Sequence, residues 1–344
     1  MTFKLTTLSV AAALALVGCQ STTSGDSAQP EKTNHLSQSV YEVEFSSAQT
    51  FKSQSQLLAE SMRNYCESSE SIEALKGQWH QTMVSWMALQ GQERGPEAAL
   101  AESWNIQFWP DKKNTTGRKM SQLTQQANVW TEQNIASQSV TVQGLGSIEW
   151  LLYDTASDLT TNSNTCVTAQ AITQNIESNA GKIAQAWSNN PWVELDEKQW
   201  NSEYIALLSN QLEYSMKKMS RPLANFGKPR PYFAESWRSE TSMLNLKANV
   251  EALQELYFAK GQGLDATLRE RGKASLADSI SNQFAMTIET WPTEQSLFDL
   301  LQTKSGYQNA YSQFNKLEQL RYLIHEEVAI ELGVIIGFNA TDGD

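Results

Sequence analysis

The segment Ile172-Thr173-Gln174-Asn175-Ile176-Glu177-Ser178-Asn179-Ala180-Gly181-Lys182-Ile183-Ala184-Gln185-Ala186-Trp187 sets Ile172, Ile176, Ala180, Ile183 and Trp187 at steps of 4, 4, 3 and 4. That is the period of one face of an α-helix; a strand would show a period of two. The same steps recur on both sides of it. Ile72, Leu75, Trp79, Met83 and Trp86 follow them, as do Ile205, Leu208, Leu212, Met216 and Met219. Phe314, Leu317, Leu320, Ile324, Val328, Leu332 and Ile335 continue the pattern for about six turns. Strand-like alternation is nearly absent, with Val140-Thr141-Val142 its best case. Broad apolar stripes on helices of this length bury themselves in bundles, so the expected fold class is all-α.

Two segments between helical runs read as loops. One is Phe108 to Arg118, with Trp109-Pro110 and Gly117; the other is Pro222 to Pro231. Asn189-Asn190-Pro191 reads as a boundary between two helical bundles, residues 37–190 and 191–344. Trp187 and Trp200 would flank it on adjacent helices.

The chain has 344 residues, a formal charge of −12 and three His. An acidic chain lacks the basic footprint that replaces phosphate counterions, so no nucleic-acid partner is expected. A chain this poor in His is unlike a His-rich metal centre. Lys4, the apolar run Leu5 to Val17 and Gly18-Cys19 form a charged region, a short apolar core and a small residue before Cys. This is the pattern of a signal peptide spanning 1–18. The Leu16-Val17-Gly18-Cys19 ending resembles the lipobox of bacterial lipoproteins, in which the Cys becomes the acylated N-terminus. That resemblance implies lipidation at Cys19 by palmitate-type chains. With Gln20 and Ser21 following, it also implies anchoring on the periplasmic side of the outer membrane. Residues 19–36, rich in Ser, Thr, Gln and Asn, read as a flexible tether in which His35 has no role. Cys66 and Cys166 then remain as an even pair, either a disulfide closing a loop of about 100 residues or two separate buried thiols.

Gly144-Leu145-Gly146-Ser147-Ile148-Glu149-Trp150-Leu151-Leu152-Tyr153-Asp154 carries the chemistry. Glu149 stands alone in an apolar run, and a buried carboxylate needs an Arg, a backbone N–H cluster or a metal ion beside it. Gly144 and Gly146 permit close approach of the backbone. The segment resembles the signature of the imelysin-like family, Gly-x-His-x-x-Glu followed by an aromatic and two leucines. Phe108-Trp109-Pro110-Asp111, the helix opened by Cys166, Glu235-Ser236 with Leu246-Lys247-Ala248-Asn249, and Leu332 to Asn339 with Asp342-Gly343-Asp344 resemble further family segments. The resemblance implies two related helical bundles packed against each other, with the site in the cleft between them. It also implies a secreted or membrane-anchored protein linked to iron uptake, with iron-uptake components as partners and a metallopeptidase as founding member.

One departure matters. Gly146 stands where the signature has His, so only Glu149 carries over, and no His-Glu-x-x-His helix exists. His80 and His325 read as flanking polar residues rather than ligands. Nucleophile elbows and phosphate-binding Gly loops are missing too. The expected binding set is Glu149, Gly144, Gly146, Trp109, Asp111, Arg118, Glu235, Ser236, Arg238 and Ser239, with Trp104, Trp150 and Trp237 as further cleft aromatics. Glu149 and Glu235 are the expected metal ligands, for iron or another divalent or trivalent ion that favours hard oxygens. The reading is a monomeric, lipid-anchored binding component. The alternatives are a metal-dependent peptidase built from carboxylates, or a structural or interaction lipoprotein.

Overall fold

The computed structural model describes residues 29–126 and 128–334. The expected signal peptide, Cys19, most of the tether, and residues 335–344 lie outside them. Nine longer helices carry the fold: α1 (Gln38–Cys66), α2 (Ile72–Met87), α3 (Thr115–Thr124), α4 (Leu145–Tyr153), α5 (Ser163–Ala186), α6 (Glu197–Leu223), α7 (Ser242–Phe258), α8 (Ala274–Glu289) and α9 (Lys304–Arg321). No strand occurs among the described residues; Val140–Val142 is a 3-10 turn.

The periodic segments read from the sequence lie on helices up to Leu332, with Trp187 at a helix C-cap; Ile335 lies outside the described residues. Leu75, Trp79, Met83 and Trp86 are buried on α2, and Ile172, Ile176, Ala180 and Ile183 on α5. Capping follows local chemistry. Ser71 accepts the Ala74 N–H at the start of α2, and Asp196 forms a reciprocal capping box with Gln199 at the start of α6. Beyond α9 the chain passes through a π-helical turn (Tyr322–Val328) and a last helical turn (Ala329–Leu332). Gly333, at φ 63°, then ends the helix in the left-handed conformation that glycine adopts freely.

Helices α1, α2, α4 and α5 pack mainly on one another, as do α6, α7, α8 and α9. The two groups meet where α7 crosses α2 and α1. Their buried apolar side chains form one continuous core from Val40 to Val334. Cys66 and Cys166 are joined in a disulfide tying the end of α1 to the start of α5.

The tether ends earlier than the sequence implied. His35 Nε2 lies 2.8 Å from the Leu195 carbonyl, and Asn190 Nδ2 donates to Ser37 Oγ at 2.9 Å. Tyr41 OH donates to the Ser188 carbonyl at 3.0 Å. These bonds dock residues around 31–41 on the 188–195 connection, so His35 does have a structural role. Trp187, Trp192 and Trp200 pack ring against ring at 5.4 and 5.3 Å across the same connection.

Candidate functional site

The site begins with a close approach. Gly144 precedes α4, and a Cβ there would collide with the Ile106 backbone carbonyl, so only glycine lets the two segments touch. Trp79 Nε1 donates to the Leu145 carbonyl at 3.0 Å and holds the first turn of α4 against α2. With its start fixed in this way, α4 buries Ile148, Glu149, Trp150, Leu151 and Leu152 together.

Glu149 is 4% exposed. Its Oε1 accepts two hydrogen bonds at 2.9 Å, from the Ser239 backbone N–H and from Ser239 Oγ. No donor among the described residues reaches Oε2. The loop that supplies Ser239 turns sharply, with Ser236 and Glu240 at φ 53° and 60°, in the sparsely populated left-handed region. Burial pushes the Glu149 pKa up, and the Ser239 N–H and the nearby Arg238 charge oppose the shift. Tyr153, half-buried beside Glu149, is pushed up to about 12 mainly by burial.

A cavity of about 40 Å³ lies at Glu149. Its walls include Trp109, Asp111, Gly146, Glu235, Ser236, Trp237 and Arg238, all singled out from sequence, along with Gln107, Phe108 and Tyr232. The walls combine residues from before position 190 with residues 232–238. Gly146 leaves its side open, since a Cβ there meets nothing nearer than Gln107 Oε1 at 3.9 Å. That oxygen is buried and unpaired.

Several residues are committed to the protein itself. Asp111 accepts the Thr115 and Thr116 N–H groups at 2.6 and 2.9 Å and so caps α3. Arg238 pairs with Asp154 at 2.7 Å, donates to Asn114 Oδ1 at 2.6 Å and lies over the Trp237 ring. Arg118 lies exposed on α3, and the cavity walls do not include it. Trp150 is 1% exposed and belongs to the core rather than to a cleft. Trp104, half exposed, lines a separate, larger groove with Trp109.

Sequence reasoning missed Lys218. Its ammonium is fully buried and pairs with Glu235 Oε2 at 2.5 Å. It also donates to Asn249 Oδ1 at 2.6 Å and to Gln90 Oε1 at 2.8 Å. Gln90 in turn donates to Glu235 Oε1 at 2.5 Å. Burial pulls the Lys218 pKa down, and the Glu235 charge resists. A signal existed, because Gln211, Ser215 and Lys218 recur at steps of 4 and 3 along one face of α6. Glu235, expected to share an ion with Glu149, is thus spent on Lys218.

His80 stands at the far end of a polar chain. Asn245, whose side chain lies against it, donates to Ser236 Oγ at 3.0 Å and to Thr241 Oγ1 at 3.3 Å. Thr241 Oγ1 lies 3.0 Å from Ser239 Oγ, which donates to Glu149. Burial lowers the His80 pKa, so the ring is neutral at pH 7.

The donor set does not fit a zinc centre. No group of three or more His, Cys, Asp or Glu is placed to hold a metal among the described residues. At the cavity Gln107 Oε1 is buried and unpaired, and both bonds from Ser239 go to Glu149 Oε1 rather than Oε2; these are hard oxygens.

No curated protein sequence matches the chain. Its fold is similar to an imelysin-like protein from Psychrobacter arcticum 273-4, with TM-score 0.74 and 19% identity, covering 88% of this chain and 96% of that one. It is also similar to a protein described as an iron-regulated protein A precursor from Parabacteroides distasonis ATCC 8503, with TM-score 0.61 and 13% identity, covering 89% and 96%. The family model named Imelysin matches residues 45–324. The chain belongs to the imelysin family.

Proposed function

We propose that this protein is a lipid-anchored periplasmic component of iron uptake that captures a small cation at Glu149. The observation that carries the reading is the state of that carboxylate. One oxygen is held rigidly by Ser239, and the other is left without a donor beside a cavity large enough for an ion. Gln107 Oε1 adds a second unpaired acceptor, so the cavity calls for a group that is positive or rich in donors. The iron-regulated description of a structural neighbour supports the choice of metal, and the lipobox-like Cys19 supports the anchor.

Proteolysis is not favoured by any observation here. Gly146 removes the signature imidazole, and Lys218 occupies the second carboxylate. Elemental analysis of the purified protein tests the proposal, followed by calorimetric titration of wild type and Glu149→Gln with ferric and divalent ions. Ion binding that is lost in the variant supports it. Equal uptake by both proteins sinks it.

A further inference from the structure

A groove of about 610 Å³ runs along one face of α6, separated from the Glu149 cavity by the Gln107–Trp109 segment, which contributes to both. Its size falls in the roughly 300–1,000 Å³ range of small-molecule sites. Asn210 lies in its wall, 4% exposed, with neither Nδ2 nor Oδ1 paired to anything in the protein. A carboxamide whose donor and acceptor are both buried and unpaired is costly. Arg221 Nε, on the same groove, is likewise buried and unpaired. The groove thus brings together two unused donors and one unused acceptor.

The rest of the lining narrows the ligand. Trp104 is 53% exposed, although indoles usually bury most of their surface, and Trp109 stands in the same wall. Glu93 and Glu213 balance Lys217 and Arg221, so the lining favours neither anions nor cations. A neutral ligand is needed that offers apolar faces to indole and closely spaced groups that both donate and accept. Sugar hydroxyls do both, and pyranose C–H faces pack on aromatic rings. The paired vacancy on Asn210 is the complement of an amide: Nδ2 donates to its carbonyl and Oδ1 accepts its N–H. From these features we infer that the α6 groove is a binding site for a neutral N-acetylated oligosaccharide, separate from the Glu149 site.

Calorimetric titration of the full-length protein with chitotriose, with cellotriose and trialanine as comparisons, tests this. Chitotriose should bind, and cellotriose, lacking the acetamido group, should bind at least about tenfold more weakly. Trp104→Ala and Asn210→Ala should each weaken chitotriose by about tenfold or more. Asn210→Ala should melt no lower than wild type, because it removes a buried amide that had no partner. Glu149→Gln should bind chitotriose as wild type does, which separates this inference from the cation proposal. No chitotriose binding at millimolar concentration overturns the assignment, as does equal binding by Trp104→Ala and Asn210→Ala. Preference for trialanine would identify a peptide groove and overturn it as well.

Discussion

Replacing Lys218 with Met tests what holds α6 to the loop of Glu235 beside the Glu149 cavity. The side chain is 1% exposed and its ammonium meets Glu235, Gln90 and Asn249 within 2.8 Å. Met fills nearly the same volume, so packing changes little, and the loss is electrostatic. It leaves Glu235, itself 2% exposed, as a buried charge whose remaining donor among the described residues is Gln90. Gln90 and Asn249 lose their partner at the same time. Removing one member of a buried pair costs about 3–5 kcal/mol. For a domain of this size that lowers Tm by roughly 5–15 °C. Adding Glu235→Gln to Lys218→Met removes the stranded charge and should restore about half of the loss, seen as coupling in a double-mutant cycle followed by urea unfolding. If Lys218→Met costs less than about 1 kcal/mol, or the double variant is no better than the single one, the pair is not what holds α6 to the loop of Glu235.

Four further outcomes follow from other parts of the molecule. Glu44 is buried with one oxygen unpaired, and burial raises its pKa from 4.5 to about 8 against the opposing hydrogen bond from Gln92. The folded state therefore holds the proton more tightly. This contribution is fully present below pH 4.5 and is lost as pH rises through about 8, on the order of 3–5 kcal/mol. Glu44→Gln should flatten that slope in melts run from pH 5 to 9, and an unchanged slope refutes the assignment. Gly144→Ala should cost about 2–4 kcal/mol through collision with the Ile106 carbonyl, whereas Gly146→Ala, which faces open space, should be within about 1 kcal/mol of wild type; thermal melts compare the two. Replacing Cys66 and Cys166 by Ser should lower stability by about 3–5 kcal/mol in denaturant titrations, because the disulfide closes a loop of 100 residues. His80, with its pKa lowered by burial, stabilises the protein above the unfolded value near 6.5, a contribution lost as pH falls below that; His80→Gln should remove that acid sensitivity in the same melts.

The helices were legible because they depend on short-range order. The 3.6-residue recurrence on α2, α5 and α6 reports which side of each helix is buried without reference to the partner. Glu149 was legible for a related reason, since a lone carboxylate in an apolar run must be buried with a specific partner. Long-range geometry was not legible in the same way. Trp150 and Trp109 look alike as letters, yet one is core and the other lines the cavity. Arg118 and Arg238 both looked able to neutralise the site, and only Arg238 reaches it.

The amino-acid order by itself determined an all-α chain and a buried Glu at position 149, whereas Pro222 and Gly117, read as loop residues, lie inside α6 and α3. Periodicity and the cost of burying charge act within one helix, so those facts need no partner. The tertiary structure alone decided that Glu235 belongs to Lys218, that Ser239 holds one oxygen of Glu149, and that His35 pins the start of α1. Each of these joins residues more than fifteen positions apart, up to 160 in the last case. No local propensity encodes such a meeting; it follows only once the helices have packed and the connecting loops have taken their turns.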